Sequence, residues 1–129
     1  MNLPIVFLVD DDDIFVYAMK RLMGMKGLAK EIISCGSIAE AISYLKDHAG
    51  EQSEIPDIVL CDINLPDGRG WDFLNQYSQL KSQLVKTPKV YMLSSSVIQD
   101  DRIRAEKNED VLKYFSKPLS KEDFETIFG

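Results

Sequence analysis

Five short apolar segments alternate with helix-like segments along this chain, and this alternation constrains the fold more than any other feature. Unbroken apolar runs of roughly four to eight residues are typical of strands that are buried on both faces of a parallel sheet. The pattern predicts strands at residues 5–9, 31–35, 57–61, 89–93 and 111–116. It predicts helices at residues 14–25, from Ser37 to about Gly50, at 70–84, at 99–109, and after Ser120. Alternating strands and helices predict an α/β fold.

The order of the strands follows from the handedness of their connections. Crossovers between parallel strands are right-handed and do not thread through one another. We therefore predict a flavodoxin-like, doubly wound (βα)5 fold with a five-stranded parallel sheet in the order 2-1-3-4-5. Ligands of such sheets bind outside the carboxyl ends of the strands, where the strand order reverses. A functional site is expected there, between strands one and three.

The helix-like segments differ in how they are expected to meet the sheet. In the first helix, Phe15, Ala18, Met19 and Leu22 form one apolar stripe, which predicts the face that packs on the core. The segment 99–109 is rich in charge and has little apolar stripe, which is typical of a solvated surface.

Charge, length and cysteine content exclude several classes of function. A net charge of −6 repels a phosphate backbone, so nucleic-acid binding is not expected. Residues 1–129 are expected to form a single domain, with no output domain in this chain. No apolar stretch is long enough to cross a membrane, and we expect a cytoplasmic protein without membrane attachment. Cys35 and Cys61 lack the spacing of a metal site and are expected to be small core residues in a reducing compartment.

Polar residues stand at the carboxyl ends of four of the predicted strands. Acids occupy positions 10–13 after the first strand, and Asp62 follows the third strand. Hydroxyl groups at positions 94–96 follow the fourth strand, and Lys117 follows the fifth. Since the carboxyl ends of parallel strands meet at one edge of the sheet, these residues are expected to converge. Acids that hold a metal, together with a hydroxyl and an ammonium group, suit the binding of a phosphoryl group.

The acidic run at positions 10–13 has two interpretations. Adjacent carboxylates repel each other unless a cation neutralises them, and Mg²⁺ prefers a few carboxylate oxygens, phosphate oxygens and water. Asp10 and Asp11, directly after Val9, are therefore predicted to bind the metal. Asp12 and Asp13 are interpreted as acids that start the following helix, because negative charge stabilises a helix N-terminus. The alternative for the run is a solvated acidic loop.

Asp62 is the predicted centre of the chemistry. A carboxylate is a competent nucleophile toward phosphorus and yields an aspartyl phosphate. Pro66 and Gly68 turn the chain sharply after it, which would let the backbone carbonyl of Asn64 supply another metal ligand. A simple loop acid after a strand is the alternative interpretation, since such acids are common.

Ser94 and Lys117 are predicted to complete the site. A hydroxyl group at position 94 can donate to a phosphoryl oxygen, although serines often begin loops. Lys117 can pair with Asp62, or with a phosphate on it, as a point charge. It precedes Pro118, and the peptide bond between them is a candidate for the cis form. A surface lysine at a turn is the alternative.

With these residues in view, the chain resembles the receiver domains of response regulators in two-component signalling, over essentially its whole length. The likeness is carried by the residues at four strand ends: Val9-Asp10-Asp11, Asp62 with Asn64-Leu65-Pro66 and Gly68, Ser94, and Phe115-Ser116-Lys117-Pro118. The resemblance implies that Asp62 accepts a phosphoryl group from a sensor histidine kinase or a histidine phosphotransfer protein. It also implies contacts from Ser94 and Lys117 to the phosphate, and a Mg²⁺ site formed by Asp10, Asp11, Asp62 and the carbonyl of Asn64.

The same resemblance implies a signalling switch rather than an enzyme. Ser94 and Tyr114 match switch positions whose small rearrangement alters the face made by helix four, strand five and helix five. Asn64 and Ser96 match variable positions that tune the rate of dephosphorylation. The implied output is binding of an unknown downstream protein, by a monomer or a phosphorylation-dependent dimer. Such a protein catalyses only its own phosphorylation and slow dephosphorylation.

Two other functions fit part of the pattern. A phosphatase of the haloacid dehalogenase type would use Asp10 as the nucleophile and Asp12 as the acid. It would need an acidic pair well beyond Lys117, where only Glu122 and Asp123 follow almost at once. A degenerate receiver that merely binds partners would lack a site residue, and none is missing from this sequence. Both observations favour the phosphoacceptor.

Overall fold

A five-stranded parallel sheet forms the centre of the molecule in the computed structural model, which describes residues 3–95 and 99–129. Its strands are β1 (Ile5–Val9), β2 (Glu31–Cys35), β3 (Ile58–Asp62), β4 (Lys89–Ser94) and β5 (Val111–Ser116). They lie in the order β2-β1-β3-β4-β5, and every neighbouring pair is parallel. The predicted flavodoxin-like sheet with order 2-1-3-4-5 is therefore confirmed.

Five α-helices connect and cover these strands in the described part of the chain. They are α1 (Asp13–Lys26), α2 (Ile38–Asp47), α3 (Gly70–Leu80), α4 (Gln99–Lys107) and α5 (Lys121–Phe128). The third helix is shorter than predicted, because the chain tightens into a 3₁₀ turn at Lys81–Gln83. None of the helices within residues 3–95 and 99–129 has the length and apolar character needed to cross a membrane.

The sheet separates two hydrophobic clusters, one on each face. The side chains of α1 and α5 pack with alternate residues of β1, β3, β4 and β5 on one face. The side chains of α2 and α3, with one alanine of α4, pack on the other face. All five residues of β1 are buried, as expected for a strand covered on both sides. Because the five strands are parallel, their carboxyl ends lie along one edge of the sheet.

The predicted apolar stripe of α1 is wrong in part. The helix buries Met19 and Met23, while Phe15 is only partly buried and Ala18 and Leu22 are exposed. The helix has apolar residues around most of its circumference, so its periodic pattern fits more than one face. Packing against the sheet selected the face that carries the two methionines.

The two cysteines are core residues, as predicted. Cys35 ends β2 and Cys61 lies in β3, and both are buried free thiols. Burial raises the pKa of Cys35 to about 12, with the nearby Glu40 carboxylate adding to the effect. Burial also raises the pKa of Cys61 well above its ordinary value. Neither thiol is suited to nucleophilic chemistry near neutral pH, since the thiolate is the reactive form.

Candidate functional site

The four strand-end positions singled out in the sequence meet at the carboxyl edge of the sheet. Asp10 follows β1, Asp62 ends β3, Ser94 ends β4 and Lys117 follows β5. Strand register aligns them, because Asp62 lies opposite Leu93 on β4, one residue before Ser94. The backbone N–H of Lys117 donates to the carbonyl oxygen of Ser94, with an N···O distance of 2.7 Å. Strand order and register thus bring distant parts of the chain to one site.

Three carboxylates cluster at this edge. Oxygen atoms of Asp10, Asp11 and Asp62 all lie within 4.8 Å of one another. Asp10 and Asp62 are buried, whereas Asp11 is exposed to solvent. A set of carboxylate oxygens that is open on one side fits a hard divalent cation such as Mg²⁺, which retains water and accepts further oxygen ligands.

Lys117 provides a positive charge within the acidic cluster. Its Nζ atom lies 2.5 Å from Oδ2 of Asp10 and 3.3 Å from Oδ2 of Asp62. The ammonium group also lies 4.3 Å from the centre of the Phe15 ring. Pairing with Asp62 was anticipated from the sequence, whereas the shorter contact with Asp10 was not. One ammonium group faces three carboxylates, so a further cation would balance the charge of the site.

The protonation of Asp62 reflects opposing influences. Burial raises the pKa of its carboxyl group, and the negative charge of Asp10 raises it further. The ammonium group of Lys117 and a hydrogen bond from the backbone N–H of Asn64 act in the opposite direction. The pKa of Asp62 remains above its ordinary value, which shows that its negative charge is incompletely compensated by these protein groups.

Asp12 and Asp13 begin α1, as predicted. Oδ1 of Asp12 accepts hydrogen bonds from the backbone N–H groups of Ile14 and Phe15, and Asp13 lies in the first turn. The backbone N–H of Asp12 in turn donates to Oδ1 of Asp10 at 2.9 Å. The helix cap therefore orients one oxygen of the buried Asp10, while Lys117 binds the other.

The remaining predicted positions surround this centre at different depths. Ser94 and Tyr114 are buried, on β4 and β5 respectively. Asn64 is exposed and pairs with Arg69 in a short antiparallel hairpin. The peptide bond between Lys117 and Pro118 is cis, as its sequence suggested. Ser96 lies outside the described residues.

Gly70 is a site residue that the sequence interpretation missed. A Cβ atom at this position would lie 2.7 Å from the carbonyl oxygen of Asp62 and 2.5 Å from Cε of Met92. Its N–H donates to the carbonyl oxygen of Ile63 at 2.6 Å. The first residue of α3 thus packs directly on the backbone of the predicted nucleophile. Gly68 drew attention in the sequence, yet the second glycine after Pro66 was the available signal for this close approach.

Asp67 has a structural role that the sequence interpretation also missed. Its two carboxylate oxygens accept hydrogen bonds from the backbone N–H groups of Ile38 and Ala39, at 2.9 and 3.0 Å. These hydrogen bonds lower the pKa of Asp67 below its ordinary value. The segment after Asp62 is therefore tied to the N-terminus of α2, where negative charge is favourable.

Several solved structures have the same overall fold as this chain. A two-component response regulator from Cytophaga hutchinsonii is 30% identical, with a TM-score of 0.89 over 99% of this chain and 96% of that chain. A response regulator receiver protein from Dyadobacter fermentans is 25% identical, with a TM-score of 0.77 over 92% of this chain and 89% of that chain. The phosphorylated cyanobacterial phytochrome response regulator RcpA is 25% identical, with a TM-score of 0.77 and coverage of 98% and 90%.

Sequence comparison with protein families gives a consistent result. No curated protein sequence matches the chain. The family model described as the response regulator receiver domain matches residues 6–128, which span the described strands and helices apart from Ile5, the first residue of β1. Response regulator receiver domains are signalling modules of two-component systems, and this chain belongs to that family.

Proposed function

We propose that this protein is a phosphoacceptor in a two-component phosphorelay, with Asp62 as the residue that is phosphorylated. The observation that carries the proposal is the position of the Asp62 carboxylate. It lies beside a buried acid and a nearly buried ammonium group, at an edge of the sheet that remains open through the exposed Asp11. Residues 1–129 act in this proposal as one receiver domain in the cytoplasm.

The proposed reaction is a direct phosphoryl transfer. A carboxylate oxygen of Asp62 forms a bond to phosphorus while the N–P bond of a phosphohistidine breaks. The imidazole nitrogen of the donor retains the electron pair of that bond and takes up a proton from solvent. Asp62 must be ionised to attack, and the contact with Lys117 favours its charged form.

Asp10, Asp11, Asp62 and the carbonyl oxygen of Asn64 are the proposed ligands of Mg²⁺. When bound, the ion screens the negative charge of the acids and of the incoming phosphoryl group. Once Asp62 is phosphorylated, the ammonium group of Lys117 can pair with a phosphoryl oxygen, because it already lies 3.3 Å from Oδ2 of Asp62. The hydroxyl group of Ser94, at the end of the neighbouring strand, is the proposed hydrogen-bond donor to a phosphoryl oxygen.

The proposed output is a change at the face formed by α4, β5 and α5. Ser94 and Tyr114 are the proposed switch residues, and both are buried, Ser94 at the end of β4 and Tyr114 within β5. Asn64 and Ser96 are proposed to tune dephosphorylation, which the protein catalyses slowly on itself. The altered face would bind a downstream protein, either from a monomer or within a phosphorylation-dependent dimer.

The proposed phosphoryl donor is a sensor histidine kinase or a histidine phosphotransfer protein. Helix α1 supports this proposal, because it begins at the acidic site and exposes Ile14, Tyr17 and Met25 by 83%, 65% and 75%. An exposed apolar surface next to a reactive group is typical of a protein-binding site. A protein donor could cover it while presenting its histidine to Asp62.

Replacing Ile14 with serine is expected to slow phosphoryl transfer from a protein donor about tenfold, because one large apolar contact is lost at the interface. Transfer from acetyl phosphate, which is too small to contact α1 and Asp62 together, should keep its rate. Both rates can be followed by intact mass spectrometry. Leu112→Ser is the matched control, since Leu112 is an exposed apolar residue of β5. Equal slowing with both donors would contradict docking on α1.

The proposed function is tested by incubating the protein with Mg²⁺ and acetyl phosphate and measuring its intact mass. We expect one phosphoryl adduct on the wild-type protein, none on Asp62→Asn, and none when a chelator removes Mg²⁺. An adduct that survives in Asp62→Asn but disappears in Asp10→Asn would favour the phosphatase alternative. No adduct and no stabilisation by Mg²⁺ would indicate a degenerate receiver.

The phosphatase alternative has little support from the geometry. It requires Asp12 as a general acid, yet Oδ1 of Asp12 is occupied by two N–H groups of α1. It also requires Asp10 as a nucleophile, yet the Asp10 side chain is fully buried, whereas that of Asp62 is 10% exposed. Asp62 is therefore the better candidate for attack on phosphorus.

A further inference from the structure

A cluster of polar and aromatic side chains connects α4 to the segment that follows Asp62. An Nη atom of Arg69 lies 3.0 Å from Oδ2 of Asp101, and Nε1 of Trp71 lies 3.4 Å from Oδ1 of the same carboxylate. The guanidinium group of Arg104 lies over the Trp71 ring, 4.9 Å from its centre. Asp101 and Trp71 are buried, whereas Arg69 is half exposed. We call these four residues the α4 latch.

Helix α4 has few other means of attachment to the core through apolar side chains. Its sequence, QDDRIRAEK, contains Ile103 and Ala105 as its apolar residues. Ala105 is buried, but Ile103 is 38% exposed. Burial of one alanine stabilises a helix by little, because hydrophobic stabilisation scales with the apolar area removed from water. The helix is therefore held largely by polar side chains, namely the contacts of Asp101 and the guanidinium group of Arg102, which lies 5.8 Å from the centre of the Tyr114 ring on β5.

The other end of the latch is firmly connected to the proposed phosphorylation site. Arg69 pairs with Asn64 in the short hairpin that begins two residues after Asp62. The next residue, Gly70, donates its N–H to the carbonyl oxygen of Ile63. Movement of this segment would displace the guanidinium group of Arg69, and with it a partner of Asp101 on α4.

We propose that the latch determines how readily α4 opens, and that it couples the opening of α4 to the segment 64–70. The latch is closed in this structure, with both oxygens of Asp101 engaged. Loss of the Arg69–Asp101 pair increases the population of the open state of α4 without unfolding the sheet. The inference concerns the unmodified protein, so it stands or falls independently of phosphorylation at Asp62.

Hydrogen exchange of the unmodified protein tests the latch, with Asp101→Asn compared against Asp100→Asn. Both acids lie in the first turn of α4, so both substitutions remove the same favourable charge from the helix N-terminus. Asp100 is exposed and Asp101 is buried in the latch. We expect amides of α4 to exchange about fivefold to tenfold faster in Asp101→Asn than in Asp100→Asn, as for the net loss of one hydrogen bond. Amides of β1 should be unchanged.

Arg69→Gln provides a second test that preserves every buried residue of the cluster. It should accelerate exchange of α4 to a similar extent, and the effects of Arg69→Gln and Asp101→Asn should not add in the double variant. Trp71 is the single tryptophan of the chain, so its fluorescence should report the same opening. Additive effects, equal effects of Asp100→Asn and Asp101→Asn, or acceleration of β1 together with α4 would each overturn the proposal.

Discussion

Replacing Lys117 with methionine is expected to lower the free energy of unfolding of the metal-free protein by about 3–5 kcal/mol at neutral pH. Its ammonium group is the partner of a fully buried Asp10 carboxylate and of Asp62, and the lysine side chain itself is 9% exposed. Methionine fills a similar volume but leaves two adjacent buried carboxylates without their cation. Denaturant titration measures the loss, and Mg²⁺ should restore part of it by binding the native state.

Lys86→Met is the matched control for Lys117→Met. Lys86 also pairs with an aspartate, Asp57, at 2.9 Å, but the two side chains are 21% and 38% exposed. Ion pairs near solvent contribute about 0–1 kcal/mol, so this substitution should have a small effect. Similar losses in the two variants would show that the acids of the functional site do not depend on Lys117 for their charge balance.

Gly70→Ala is expected to destabilise the protein by about 3 kcal/mol, at the upper end of the cost of overpacking. The added methyl group would lie 2.7 Å from the backbone carbonyl oxygen of Asp62, which cannot move without displacing β3. The clash with Cε of Met92 is easier to relieve, because that atom ends a flexible side chain. Thermal or denaturant unfolding measures the stability, and the same variant should lose phosphoryl transfer because the backbone of Asp62 shifts.

Gly24→Ala is the control for the glycine substitution. Gly24 lies within α1, and a Cβ atom there would have no neighbour within 4 Å. Alanine is favoured over glycine inside a helix by about 1 kcal/mol, so this variant should be more stable than the wild-type protein. A loss of stability comparable to that of Gly70→Ala would refute the steric explanation for Gly70.

The strands were predictable because their signal is local. Each residue of β1 is apolar, and a continuous apolar run between polar segments is typical of a strand buried on both faces. The face of α1 was not predictable in the same way. Ala18 and Leu22 are apolar like Met19 and Met23, and packing against the sheet decided which pair is buried.

The residues of the candidate site also differ in whether the sequence alone could predict them. Asp10, Asp62, Ser94 and Lys117 were recognisable because each stands at the end of a strand-like run, and parallel strands end together. Asp67 and Asp101 gave no comparable signal. Each follows from contacts with another element, the N-terminus of α2 for Asp67 and the Arg69–Trp71 pair for Asp101.

The (βα)5 alternation and the polar residues at four strand ends are readable from the sequence, because both depend on neighbours along the chain. Tertiary structure alone decided how these residues are paired. Lys117 lies 107 positions from Asp10 in sequence, and Asp101 lies 32 positions from Arg69. Such contacts depend on strand register and helix packing, in which many weak interactions act together. No local sequence pattern therefore encodes which acid pairs with the ammonium group of Lys117, or which side chains hold α4.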